Sequence, residues 1–173
     1  MSNRLTKGTA AVGYLASDRP GLKYGPAVRV SAPASTAQVV SAFKFPDTAV
    51  VENVYVHVLS IGATSGWVNV GLSSAASSSI SNGFLAALPI GSVGTKIATA
   101  SSSDAAPTYG LLLLNAYSTI IAQSMRQPYA IGVASTGATQ SANFRYLSYS
   151  VDGSTGLSTL SLIITPVYYE LGS

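Results

Sequence analysis

Two runs of alternating valines limit what this chain can become. Val54, Val56 and Val58 alternate with Tyr55, His57 and Leu59, and Trp67 to Leu72 repeats the pattern with Val68, Val70 and Leu72. A period of two puts each valine set on one face of a strand, and β-branched and aromatic side chains suit that pleated surface. Pro46 and Asp47 punctuate the approach to the first run, and Gly62 to Gly66 carry turn residues between the two. The stretch 43–72 therefore predicts a strand–turn–strand unit with one apolar face, which needs a second sheet to cover it.

Other short strands are expected around that centre. Val39–Phe45 precedes it, and Gly110–Ala116 reads as a fully buried strand. Tyr129, Ile131 and Val133 alternate, as do Arg145, Leu147, Tyr149 and Val151 with their neighbours. Leu160, Leu162 and Ile164 mark one side of a last strand, in which Pro166 argues for an edge position or a bulge. Asn82-Gly83-Phe84 gives a turn signal, and Asp152-Gly153 gives the strongest hairpin signal. Ser118–Gln123 fits a strand or a short helix; elsewhere no stretch keeps helical periodicity over three turns. Regularly spaced short strands describe an all-β fold, a β-sandwich or jelly roll.

Charge divides the chain. Only 9% of residues are Asp, Glu, Lys or Arg, against about 25% in an ordinary soluble domain, while 47% are hydrophobic. Surfaces this poor in charge suit contact with other subunits better than contact with water. Residues 1–35 carry Arg4, Lys7, Arg19, Lys23 and Arg29 against Asp18, a net of +4. The remainder carries four cations against five anions, a net of −1. Glycines and prolines recur through the first segment, so regular structure is not expected before Val28–Val30. It reads as an extended basic arm (1–35) with Tyr14 and Tyr24 as anchors, leading a sandwich domain (36–173).

Catalysis needs titratable groups brought together, and this composition offers few. There is one histidine, no cysteine, and six carboxylates scattered along the chain. His57 falls opposite the valines of its strand, where a surface or interface residue is expected. Asp47 and Asp152 are explained by turn chemistry. No carboxylate pair has glycosidase spacing, and no loop of oxygen ligands resembles a calcium site. Nucleophile elbow, phosphate loop and dinucleotide fingerprint are also missing. The expectation is a protein that is not an enzyme, with no cofactor and no metal. Five cations over some thirty residues are too sparse for an arm that neutralises packaged nucleic acid, so an acidic protein surface is the favoured partner. No run is long enough to cross a bilayer as a helix, and nothing at the start resembles a signal peptide. The cysteine count fits folding in a cytoplasm.

The runs FKFPDTAVVENVYVHVL, WVNVGL and NGF resemble small β-sandwich proteins that decorate tailed-bacteriophage heads. The block YLSYSVDGSTGLSTLSLIITPVYYE is similar to their closing hairpin. Where those relatives more often carry Asp in the NGF turn, this chain has Asn82. The resemblance implies a capsid decoration, or cement, protein with a jelly-roll body. Such a protein is made in the host cytoplasm, forms a homotrimer, and sits on the outer capsid surface bridging major capsid proteins. Arg4, Lys7, Tyr14, Arg19, Lys23, Tyr24 and Arg29 are then the expected capsid-binding residues, without direct contact to nucleic acid or membrane. Removing residues 1–32 is expected to leave a folded trimer that no longer binds heads. Two other readings stay open: a jelly-roll coat subunit of a small virus, and a glycan-binding or fibre module, for which Trp67 and the tyrosines would form the platform.

Overall fold

A computed structural model describes residues 21–33, 37–61, 66–74, 79–98, 110, 112–113, 129–131, 145–153 and 157–171. Ten strands run through them: β1 (Lys23–Tyr24), β2 (Val28–Ser31), β3 (Val39–Lys44), β4 (Ala49–Ser60) and β5 (Gly66–Ser73) come first. β6 (Ser79–Pro89), β7 (Gly94–Ile97), β8 (Tyr129–Ala130), β9 (Tyr146–Gly153) and β10 (Ser161–Glu170) follow. Leu157–Thr159 forms a short 3₁₀ turn, the single helical element among the described residues.

All pairings are antiparallel, in two sheets. The first sheet has β10 and β4 at its centre. The short strands β1 and β2 share the flank of β10, and β7 and β8 share the flank of β4. The second sheet runs β3-β9-β5-β6. If each shared flank counts as one position, the eight positions in chain order lie 1-8-3-6 in one sheet and 2-7-4-5 in the other. That interleaving of two Greek keys is a jelly roll.

The alternating valines explain the core. Val54, Val56, Val58, Val68, Val70 and Leu72 are fully buried, and Leu147, Val151, Leu162 and Ile164 join them from β9 and β10. Each such side chain contributes about 1.5–3 kcal/mol by leaving water. Phe45 ties the layers at one end, 4.7 Å edge-on from Phe43, 6.0 Å from Phe84 and 5.7 Å from Tyr168. Edge-on ring pairs of this kind add about 0.5–1.5 kcal/mol each.

Several expectations change in the pairing. β4 and β5 do not form a hairpin: they lie in opposite sheets, and their valine faces cover each other. The same holds for the chain around Asp152-Gly153, where β9 and β10 also belong to different sheets. Turn residues mark a reversal, yet they do not choose between pairing in one sheet and crossing to the other. Asn82-Gly83-Phe84 is not a turn between elements but lies inside β6. There β5 meets an irregular partner, with Leu72 opposite Ile80 and Val70 opposite Leu85. Gly110 and Leu112 are buried as expected, but Leu112–Leu113 form a turn, with the Leu113 N–H donating to the Gly110 carbonyl at 3.0 Å. The Gly110 and Leu112 N–H groups donate to the carbonyls of Phe84 and Gly83, each at 2.8 Å.

Glycine makes this layer possible. A Cβ on Gly71 would overlap the Ile80 carbonyl, and one on Gly110 would overlap the carbonyls of Asn82 and Gly83. Further along β6, one extra residue between Leu85 and Leu88 bulges the strand, and Ala87 takes φ +50° there. The Asn69 side-chain oxygen accepts the Ala87 N–H at 2.8 Å and holds the bulge in place.

Pro166 lies in the centre of its sheet, opposite Val54, rather than at an edge. A register shift follows it between Val167 and Tyr168, as its sequence position suggests. The Gly25 N–H donates to the Pro166 carbonyl at 2.8 Å. The N–H and C=O of a strand residue point the same way, so the donor that proline lacks falls toward Gly25. The pairing with β4 loses nothing.

Candidate functional site

Among the described residues no three of His, Asp and Glu approach closely enough to hold a metal ion. His57 sits in the middle of the first sheet's outer face, its Nδ1 2.9 Å from the Thr95 hydroxyl. Burial raises the pKa of Tyr129 to about 12 and raises that of Tyr149 as well, so both phenols stay neutral at ordinary pH. Among the described residues no helix is long and apolar enough to cross a membrane. What the strands do build is a set of surfaces.

The outer face of the first sheet has cross-strand rows. Arg29, Ile163, His57 and Thr95 lie side by side, followed by Thr165, Tyr55 and Ile97. Leu59 and Val93 adjoin the last β4–β7 pair, Val58 and Gly94, and both are exposed. Arg29 is the one formal charge in these rows.

The outer face of the second sheet is built differently. Trp67 stands between Asp152 on β9 and Pro89 on β6, with 41% of its surface exposed. The next row holds Asn69 and Ser150, whose side chains are 3.4 Å apart. Beside this sheet, a groove of about 550 Å³ opens between the sheet edges, lined by Val28, Val39, Val40, Phe43, Lys44 and Tyr149 among others.

The expected arm residues divide in two. Arg4, Lys7, Tyr14 and Arg19 lie outside the described residues. Lys23, Tyr24 and Arg29 are placed in strands that flank β10. Lys23 forms an ion pair with Glu170 at 2.9 Å, both ends partly exposed, which is worth about 0–1 kcal/mol. Tyr24 is 68% exposed, with Leu22 and Leu171 also open to solvent. Arg29 points to the outer face. These three are spread along one edge and do not meet at one point.

The pairing also brings together residues that sequence reasoning kept apart. Trp67 and Asp152 are neighbours because β5 and β9 pair, which no local spacing announces. The alternation did carry half of the signal, since Val68 facing inward turns Trp67 outward.

Comparison with protein families, curated proteins and solved structures returned no match. The surfaces themselves therefore carry the functional argument.

Proposed function

We propose that this chain is a structural virion protein, a decoration or cement protein that binds the outside of a phage head and stabilises contacts between major capsid proteins. The observation that carries this reading is the set of rows around His57 on the first sheet's outer face, where Tyr55, His57, Leu59, Thr95, Ile97 and Ile163 are accompanied by a single charge, Arg29. A face this neutral is suited to cover by a neighbour. The jelly roll agrees with the reading without requiring it, because the same fold serves lectins and other binding proteins.

The basic leading segment supports the same role. Residues 23–31 are stitched to β10, so residues 1–20, with Arg4, Lys7 and Arg19, are tethered to a fixed point on the body. Single exposed ion pairs contribute little, and attachment would come from several arms of a homotrimer acting together. Their partners would be acidic surfaces on neighbouring subunits, the major capsid protein among them.

The test is to mix the purified protein with undecorated heads and image them, using the full chain and a form lacking residues 1–20. Full-chain decoration with loss on truncation supports the reading; equal decoration by both removes the arm from it. A coat-subunit role would instead give tight binding to DNA or RNA that falls steeply with salt, and no affinity for heads.

A further inference from the structure

Asp152 is the only formally charged residue on β5, β6 and β9, and its carboxylate is exposed. No ion pair engages it among the described residues. Its cross-strand neighbour is Trp67, the chain's one tryptophan. An indole face attracts a cation through its quadrupole, and a carboxylate directly across the strands, some 5 Å away at Cα, attracts the same cation by charge. Pro89 flanks the ring on the other side, and Asn69 and Ser150 supply neutral polar groups one row along. The combination is selective for a guanidinium or ammonium group.

We propose that the Trp67–Asp152 pair is a docking site for a cationic side chain, Arg4 or Lys7, from the leading segment of a second copy of this chain. Charge complementarity is the first argument. Elsewhere on the body, Lys23 is engaged by Glu170, Arg145 by Asp47, and Lys96 by the Ser92 hydroxyl. Arg29 lies on the outer face of the other sheet, Lys44 is opposite Tyr146, at the far end of β9 from Asp152, and Arg126 lies outside the described residues. The leading segment holds three of the nine cations, ahead of Gly21.

Reach is the second argument. The fourteen and seventeen residues that separate Lys7 and Arg4 from Gly21 can span at most about 45–60 Å, enough to reach a neighbouring copy, whereas Arg19 is only two residues from the tether. The tether lies beside Tyr168 on the first sheet; Trp67 lies on the outer face of the second sheet, at the opposite end of the sandwich. A chain's own arm would have to run the length of the body and round its side. A neighbour's arm needs only to span the gap between copies. Each copy then gives one arm and accepts another, a head-to-tail contact that closes into a ring when the rotation permits. The inference stands independently of the virion reading.

The lone tryptophan makes the test direct. In the full chain, Trp67 emission and light-scattering mass are followed against protein concentration. The panel is wild type, Asp152→Asn, the double variant Arg4→Ser/Lys7→Ser, and the combination of all three. The expected result is an emission change that rises with concentration in step with mass. Asp152→Asn and the arm variant should each weaken association by about tenfold, and the combination should be no weaker than either alone. Added salt should weaken the wild type and leave the combination unchanged. Emission independent of concentration, losses that multiply in the combination, or Asp152→Asn associating like wild type would each overturn the proposal.

Discussion

The two sheets share a core and are held together by different means. In the first, the long strands β4, rich in valine, and β10 pair over most of their length, and each outer flank is assembled from two short strands. In the second, the strands are continuous, but β3 is out of step with β9, and β6 with β5. In the first sheet the β4–β10 register shifts only between Ser161 and Leu162 and between Val167 and Tyr168, and in the second β5 and β9 stay in register over all eight of their pairs. Between β5 and β6 the irregular pairing coincides with Gly71, Asn82-Gly83 and Ala87. The first sheet depends on what flanks it, the second on what its bulges can fit.

Truncation should break this comparison most forcefully. Removing residues 1–32 takes away β1 and β2, uncovers the edge of β10 and deletes buried Val30. Cooperative thermal unfolding should be lost or its midpoint should fall steeply. Removing residues 1–20 should leave the midpoint unchanged at concentrations too low for copies to associate. The clean arm deletion therefore ends before Gly21, which shortens the one expected from sequence. Phe45→Ala strikes what both sheets share and should cost about 3–5 kcal/mol in urea unfolding.

Gly71→Ala tests the second sheet alone. The new methyl meets the Ile80 backbone, which cannot yield as a side chain does, so a loss of about 1–3 kcal/mol is expected from the same measurement. The pH response probes a flank of the first sheet. Tyr129 on β8 has its folded pKa raised from 10.0 to about 12, so the unfolded chain ionises first. Stability should be full below pH 10 and decline as pH rises toward 12, and Tyr129→Phe should flatten that decline. Ala87→Gly should show the smallest effect, a gain of about 0.5–1 kcal/mol, because glycine accepts the positive φ at the bulge without a Cβ penalty. A loss at that position would mean that the bulge is not strained.

β3, β4, β5, β9 and β10 were legible in the sequence; β1, β6 and β7, which lie where loops or turns were expected, were not, and neither were the strand partners. Val54, Val56 and Val58 face inward, with Tyr55, His57 and Leu59 outward, as the period of two requires. The same holds for Leu147 and Val151 on β9 and for Leu162 and Ile164 on β10. Periodicity assigns a residue to a face, but the neighbour of a strand is decided by burial of the whole core. That is why two strong turn signals, at Gly62–Gly66 and Asp152-Gly153, proved to join strands of opposite sheets. Asn82-Gly83 misled for a related reason: residues that permit a reversal also permit a bulge. On the surface, Arg29, Lys23 and Tyr24 were recognisable as a basic, aromatic segment, but their stitching to β10 depends on long-range pairing. Glu170, more than a hundred residues away, is the partner Lys23 finds.

That stitching also fixes how the body bears load. Ladder bonds between antiparallel strands lie across the strand direction. A lengthwise tug on the leading segment therefore strains the two β1 pairs, the Gly25–Pro166 bond and the four β2 pairs at the same moment. A sideways tug opens them in succession from Lys23, like a zip. The tether resists shear far better than peeling, so the angle at which a neighbour pulls decides whether it holds.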